Sequence, residues 1–548
     1  MKTFATTFAL FIILLFSGLR AQIVEKAVEI NPDFKSDPKD FTVYNSKLYF
    51  SAIDKKDHAA VTSGREFFVT DGTPAGTHLV KLLDSDFNGG SSPSGFTEFN
   101  SKLFFATNDG RGGAGLWTSD GTQAGTVLIK PIDPTGFGTV SDVSKSFIIF
   151  QNKLYIAAFD GTNGNELWVS DGTPGGTQLV KDIDPRVSAY GPNNFTVFGD
   201  KLFFTMDDST HGEEPWITDG TPNGTQLLKD IDTNGTQGSA PWGYTPFNNK
   251  LYFWAQDLNG GPLHPEIWET DGTTNGTKLF ANTFPMGSTD PDNIGVLGDK
   301  LYFTSCDTSR SLILWKSDGT TAGTEGVAKI NGIGVTSRSG FTIFKNKLYF
   351  ADYSDSGILG VHLWVSDGTN SGTHIFEQIN MNEGSNPGSF TIFKNKLYFI
   401  AEDKTGDRQL WVTEGSEGNV KMLAPDSASH FSPLLSTIEF KEYNGALYFS
   451  ADYDGHGTQL WRVRDTATAS VNHPNAVGNI SLYPNPAHAE IHLDIKEPVT
   501  AVIYNLLGEV QIKVRLLTSG TIDVSNLPRG TYIIREEENS VQAVFIKE

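Results

Sequence analysis

The stretch Phe195-Thr-Val-Phe198-Gly-Asp200-Lys201-Leu-Phe-Phe204-Thr205 decides how the chain folds. It is followed by Pro215-Trp216-Ile-Thr218-Asp219-Gly220-Thr221-Pro-Asn-Gly224-Thr225 and then Leu227-Leu-Lys-Asp230-Ile231. Phe195–Phe198 alternates as a strand, and Gly199-Asp200 turns the chain. Leu202–Thr205 is a second strand with apolar residues on both faces. The polar run Asp207–Glu214 reads as a loop, Pro215–Thr218 as a third strand, Asp219–Gly224 as a turn and Leu227–Ile231 as a fourth strand. Strands that are apolar on both faces predict that both sides of each small sheet are covered.

The unit recurs. Lys-Leu-aromatic-aromatic opens its second strand at Lys47–Phe50, Lys102–Phe105, Lys201–Phe204, Lys250–Phe253, Lys300–Phe303, Lys347–Phe350 and Lys396–Phe399, with variants at Lys153–Ile156 and Ala446–Phe449. These anchors lie 47 to 55 residues apart. A second signature, Trp followed by Asp-Gly-Thr-x-x-Gly-Thr, is complete in Trp168-Val-Ser-Asp171-Gly172-Thr173-Pro-Gly-Gly176-Thr177. A fixed period of this length marks a repeat architecture in which no unit buries its apolar face alone. Four antiparallel strands per unit, set around an axis, predict an all-β fold, a β-propeller of about nine four-stranded blades over residues 22–464.

The chain ends bear on closure. The ninth unit offers strands at Thr437–Phe440, Leu447–Ala451 and Leu460–Val463, and then runs out. Val28-Glu-Ile-Asn-Pro32 resembles Lys181-Asp-Ile-Asp-Pro185, the end of a fourth strand. The N-terminal strand is therefore expected to complete the last blade and remove the open edges. Nine exceeds the usual four to eight blades, and an open arc is the alternative.

The 548 residues carry a formal net charge of −22, with no basic stripe to neutralise phosphates, so nucleic acid is excluded as a partner. Residues 1–21 read as an export signal: Lys2, the apolar run Phe8–Phe16, and Ala21 before the expected cut at Gln22. The run is too short to span a membrane, and no transmembrane span is expected elsewhere. The single cysteine, Cys306, excludes an internal disulfide framework and reads as a small buried hydrophobe. Residues 465–478 are a small-polar linker. Beyond them, short alternating strands split by Pro and Gly turns predict a small C-terminal β-sandwich over 479–548.

The recurring turn has a structural explanation. The Asp accepts backbone N–H groups two residues on, the Gly permits φ > 0 and the Thr hydroxyl ties the turn back. The Trp fills the gap between blades. A catalytic group is rarely needed nine times, so these residues are expected to hold the fold.

Five resemblances follow from the motifs. Glu166–Thr173 resembles the Glu-Leu-Trp-x-x-Asp-Gly-Thr repeats of bacterial exported proteins, over about residues 40–464; the eighth copy is degraded at Trp411–Ser416, and the ninth retains only Trp461. That resemblance implies a repeat type and no activity. Leu482–Ala487, Val502–Glu509 and Ile522–Ile533 resemble, in order, the blocks of a type IX secretion C-terminal sorting domain (the Por system) typical of Bacteroidetes. It implies recognition by the outer-membrane secretion machinery as partner, and a secreted or cell-surface location. Ala401–Trp411 is similar to the blade repeat of pyrroloquinoline-quinone propellers, but no vicinal Cys pair or cofactor residue set accompanies it. The Ser-Asp-Gly-Thr turns also resemble sialidase Asp-boxes, which are blade turns. Asp426-Ser-Ala428 and Asp465-Thr-Ala467 resemble the O-glycosylation sites of Bacteroidetes exported proteins.

Antiparallel geometry puts the conserved-looking turns on one face and the variable loops on the other, where binding usually resides. Two tryptophans depart from the repeat. Trp242, in Ala240-Pro-Trp242-Gly-Tyr244, and Trp254, in place of a small residue, form with Tyr244 a candidate glycan-stacking platform; the alternative is that they fill the core. Asp160-Gly-Thr-Asn163-Gly-Asn-Glu166 and Asp452-Tyr-Asp454-Gly455 could offer oxygens to Ca²⁺, though neither has the twelve-residue EF-hand spacing and solvated turns are the alternative. His211 beside Glu213 and Glu214 is a weak acid–base grouping. No zinc spacing, nucleophile elbow or phosphate loop is present, so no catalytic residue, metal ligand or cofactor is assigned. The expected function is a non-catalytic secreted or surface propeller that binds glycan or protein. The alternative is a secreted polysaccharide hydrolase with carboxylates in the central channel.

Overall fold

The computed structural model describes residues 22–465 and 481–547, apart from 33, 54–63, 84–90, 109–113, 134–146, 185, 187–190, 234–236, 258–264, 282–292, 307–310, 331–339, 355–359, 381–383, 426–432, 436, 484–486, 488, 495–498, 506–509, 517–518 and 537–541. The export signal, the linker beyond Asp465, the Ser427 and Thr466 glycosylation motifs and the Cys306 side chain lie outside the described residues. The chain divides into two compact units, Ile23–Arg464 and a second that holds Asp465–Glu548.

The first unit is a ring of nine four-stranded blades. In the fourth blade the strands are Asn193–Phe198, Lys201–Asp207, Glu213–Thr218 and Gln226–Leu227. The last is shorter than the sequence suggests. Pro215 lies opposite it and has no N–H to donate, so the ladder stops and Leu228 N donates to the Pro215 carbonyl at 2.9 Å. First strands of successive blades approach one another, which makes them the innermost. First and second strands are joined by two-residue turns such as Asn45-Ser46 and Asn248-Asn249, with φ of 45°, 57°, 46° and 59°. Two positive φ values in succession define the hairpin turn whose twist suits paired strands.

The ninth blade has the order Gln22–Val28, Gln459–Asp465, Ala446–Ala451, Lys441–Tyr443. The N-terminal strand thus supplies its fourth strand, and Val28 ends that strand as Lys181 ends its counterpart in the third blade. Its innermost strand is Lys441–Tyr443 and not Thr437–Phe440, because Ile438 N donates to Ser389 Oγ of the neighbouring blade at 3.0 Å.

Within a blade, the second anchor aromatic stacks on the Trp position of the next strand, as in Phe204–Trp216 at 6.5 Å and Phe350–Trp364 at 6.4 Å. Blade one uses Phe68 there, 5.8 Å from Phe50. The first anchor aromatic points the other way, to the next blade. Tyr155 places its hydroxyl against Gly220 of the Asp-Gly-Thr turn, so that a methyl group there would overlap it. Tyr49 meets Gly121 and Tyr302 meets Gly368 in the same way. The turn itself is built as its sequence requires. Asp219 Oδ1 accepts Thr221 N at 2.9 Å and Thr221 Oγ1 at 2.7 Å, which holds the carboxyl below the usual carboxylate range. Thr221 Oγ1 in turn accepts Gly224 N at 3.0 Å.

The second unit contains a three-stranded sheet (Ser481–Tyr483, Glu490–Asp494, Gly520–Asp523) and a four-stranded sheet (Val510–Leu516, Val499–Tyr504, Gly530–Glu536, Gln542–Lys547). Ile491, Leu493 and Ile522 of the first and Ala501, Ile503 and Ile534 of the second share one apolar cluster.

Gly220 adopts φ +92° with Tyr155 closing over it, whereas Gly175 has no atom within 4 Å of an added methyl. Gly220→Ala is expected to destabilise the protein by about 2–4 kcal/mol in urea or thermal unfolding, and Gly175→Ala by no more than about 0.5 kcal/mol.

Candidate functional site

The most polar buried feature sits two residues before the Trp position in several blades. Glu214 is fully buried and accepts four hydrogen bonds: Ile231 N at 3.2 Å, Asp232 N at 3.0 Å, Ser239 N at 3.0 Å and Ser239 Oγ at 2.5 Å. It therefore straps the connection to the fifth blade onto the fourth. Ala240 N adds a bond to the Glu213 carbonyl at 2.9 Å, and Gln256 N to the Ser239 carbonyl at 2.8 Å. Glu66 repeats the arrangement with Leu83 N and Ser91 Oγ, and Glu166 with Asp184 N. At the seam, Gln459 takes the Glu position. Its Oε1 accepts Ile30 N and Ser36 Oγ, and its Nε2 donates to the carbonyls of Asn31 and Phe34. The seventh blade has His362 there, fully buried and in register with Asp352.

Burial raises the Glu166 and Glu214 carboxyls to about 7, against the lowering effect of the N–H groups they accept. Their roles are structural: Glu214 is saturated with donors, Glu166 accepts Asp184 N, and both are sealed from water and so cannot reach a substrate. The His211–Glu213–Glu214 grouping consequently comes apart. His211 Nδ1 lies 2.7 Å from Asp208 Oδ2, which raises the imidazole, while Glu214 points into the blade.

The aromatic platform is corrected by the same packing. Trp254 is only 1% exposed and meets Phe303 of the sixth blade edge-on at 6.0 Å. It pairs across the sheet with Trp242, which is half-buried. Tyr244 is half-buried with its ring 5.2 Å from Phe253. The three do not present a common exposed face. The sixth blade explains the extra volume: Ile294 stands where other first strands carry an aromatic such as Phe195 or Phe390, and Trp254 packs with it in one cluster.

The acidic loops are Asx turns. Asp160 Oδ1 accepts Thr162 N and Asn163 N, its Oδ2 accepts Asn163 Nδ2, and Glu166 faces away into its strap. Asp452 Oδ1 accepts Gly455 N, and Asp454 pairs with Lys26. In the eighth blade Asp403 Oδ1 likewise accepts Thr405 N at 2.8 Å, and Trp411 Nε1 donates to the Ala401 carbonyl at 3.0 Å. Among the described residues, no group of three or more His, Cys, Asp or Glu side chains is placed to hold a metal ion, and no helix is long and apolar enough to cross a membrane.

Residues 481–547 match the secretion system C-terminal sorting domain family. The chain is thus a β-propeller protein carrying a sorting domain for that secretion system. No curated protein matches the chain. Similar solved structures include the computationally designed Ika8 protein, at 16% identity over 70% of this chain and 99% of that one, with a TM-score of 0.37. Puromycin hydrolase is 10% identical over 79% of this chain and 61% of its own, with a TM-score of 0.35. The β-propeller domain of the Trilobed protease from Pyrococcus furiosus is 12% identical over 71% and 98%, with a TM-score of 0.33. Likeness this loose assigns no activity.

The Glu214 carboxyl binds its proton more tightly folded than unfolded, since its value rises from 4.5 to about 7. It therefore adds stability below pH 4.5 that is lost as pH climbs to about 7. Relative to Glu214→Gln, the wild-type melting temperature should fall across that window, and the pH dependence of the difference should vanish above it. Glu214→Ala, which strands the four donors, should lose about 2–4 kcal/mol in urea unfolding below pH 4.5, and less as pH climbs to about 7.

Proposed function

We propose that the protein is a secreted or cell-surface ligand-binding propeller, non-catalytic, with a glycan or protein as its ligand. One observation carries this reading: the buried repeated carboxylates Glu66, Glu166 and Glu214 are engaged in joining blade to blade. Chemistry on a substrate would have to come from residues outside the repeat. Binding needs no such constellation, and a closed rigid ring bearing unlike loops is a suitable frame for it. In this reading the export signal and the sorting domain deliver the ring to the cell exterior, where it is released or retained.

The rival reading, a polysaccharide hydrolase with channel carboxylates, is favoured by one pairing. Asp40, on the innermost strand of the first blade, and Glu439, two residues before that of the ninth, belong to adjacent blades, and Glu439 Oε2 accepts Phe41 N at 3.1 Å. A screen of the full chain against glycans, polysaccharides and extracellular proteins, with product analysis of each hit, separates the two. Saturable binding without new reducing ends is expected, unchanged in Asp40→Ala. Product release that is lost in Asp40→Ala or Glu439→Ala would establish the hydrolase. Of the aromatic trio, Trp242 alone is expected to matter for a glycan hit: Trp242→Ala should weaken it about tenfold or more, read by titration.

A further inference from the structure

Every first strand carries, one residue before its final apolar residue, a side chain that pairs across the sheet with the anchor leucine. The leucines are sealed, at most 1% exposed. Their partners open to water. In the third to eighth blades the partner is Ile149, Val197, Pro246, Val296, Ile343 and Ile392. Ile149 and Ile392 are 44% and 47% exposed, and Val197 and Ile343 about as much. First strands are innermost and have a sheet neighbour on one side only, so these exposed positions lie on the strands nearest the axis.

Two of the remaining three blades break the pattern. In the ninth, first and second blades the position is Glu442, Val43 and Glu98, and both glutamates are exposed. At this level the innermost strands therefore carry an aliphatic arc over six successive blades and, beyond it, two glutamates that flank Val43. Two further carboxylates lie close by in these blades: Asp40 on the first strand of the first blade, and Glu439 two residues before the inner strand of the ninth. The bases beside them are Lys441, next to Glu439, and Lys39, whose Nζ lies 3.2 Å from Asp37.

A contiguous exposed aliphatic surface marks a surface that something covers. The aliphatic arc offers no aromatic ring face to a sugar, and a net charge of −22 steers cations toward the molecule. We propose that the axial channel receives a peptide segment that is apolar along one side and cationic along the other, its apolar side chains against the aliphatic arc and its Lys or Arg groups toward Glu98 and Glu442. This deepens the binding-module reading and rests on it.

A fluorescein-labelled peptide of alternating Leu and Lys, which places the two kinds of side chain on opposite sides when extended, is the probe; Leu-Glu and Ser-Lys peptides of the same length are its controls. The full chain is expected to bind the Leu-Lys peptide saturably and both controls at least about tenfold more weakly, by fluorescence anisotropy. The double variant Ile343→Ser/Ile392→Ser changes exposed positions only and should cost about tenfold or more in affinity. Glu98→Gln/Glu442→Gln should do the same and flatten the salt dependence, with both variants matching wild type in circular dichroism melts. Absence of saturable Leu-Lys binding, equal binding of the Ser-Lys peptide, or affinity unchanged in both variants would overturn the proposal. A ligand from the wider screen that is indifferent to both variants would overturn the channel site while leaving the binding-module reading in place.

Discussion

The contact of one blade's anchor aromatic with the turn glycine of the next is the constraint from which the architecture follows. The second anchor aromatic closes its own blade against the Trp; the first crosses to the neighbouring turn. The two signatures, separate in the sequence, are thus two halves of one joint. The turn glycine is held at φ near +90°, and at Gly72, Gly121, Gly220 and Gly368 a tyrosine hydroxyl leaves no room for a side chain; the next glycine leaves space for the turn aspartate. A blade alone would expose both faces of its sheet, so the stability of each depends on being joined on both sides.

The seam repeats the joint with residues from opposite ends of the propeller. Tyr448 meets Gly72, Gln459 straps Ile30 and Ser36, and Glu25 of the N-terminal strand accepts hydrogen bonds from Arg462 and Arg464. The same arginines hold the Glu25 carboxyl below its usual range, and Arg462 also donates to the Gly72 carbonyl at 3.0 Å. With the repeated polar groups so engaged, the residues that differ between blades carry what is particular to this protein. They lie in the loops and on the inner strands, where six aliphatic positions give way to Glu442 and Glu98.

The fold was legible because the strand period holds over nine units and the turn chemistry over the first seven, and because Val28–Pro32 imitates the end of a fourth strand. The strap was not. A Glu before Leu-Trp looks like a surface residue until the chain beyond the fourth strand brings Ile231, Asp232 and Ser239 back to it; the Ser-x-Pro that starts several blades, as in Ser239-Ala-Pro241, was the available signal. Trp254 was misjudged because its significance depends on Ile294, forty residues later and in the next blade. The inner-strand division was hidden for a similar reason: exposure at Ile343 or Ile392 follows from closure of the ring, which no single unit reveals.

The most direct measurement is a double-mutant cycle across the seam. A methyl group on Gly72 would lie 2.5 Å from the Tyr448 hydroxyl. Urea unfolding of Gly72→Ala, Tyr448→Phe and the double variant should give a coupling energy of about 1 kcal/mol or more, with loss of the hydroxyl relieving part of the alanine's effect. Such coupling between the first and ninth blades requires the closed ring and its aromatic–glycine joint together. Simple additivity of the two substitutions would contradict both.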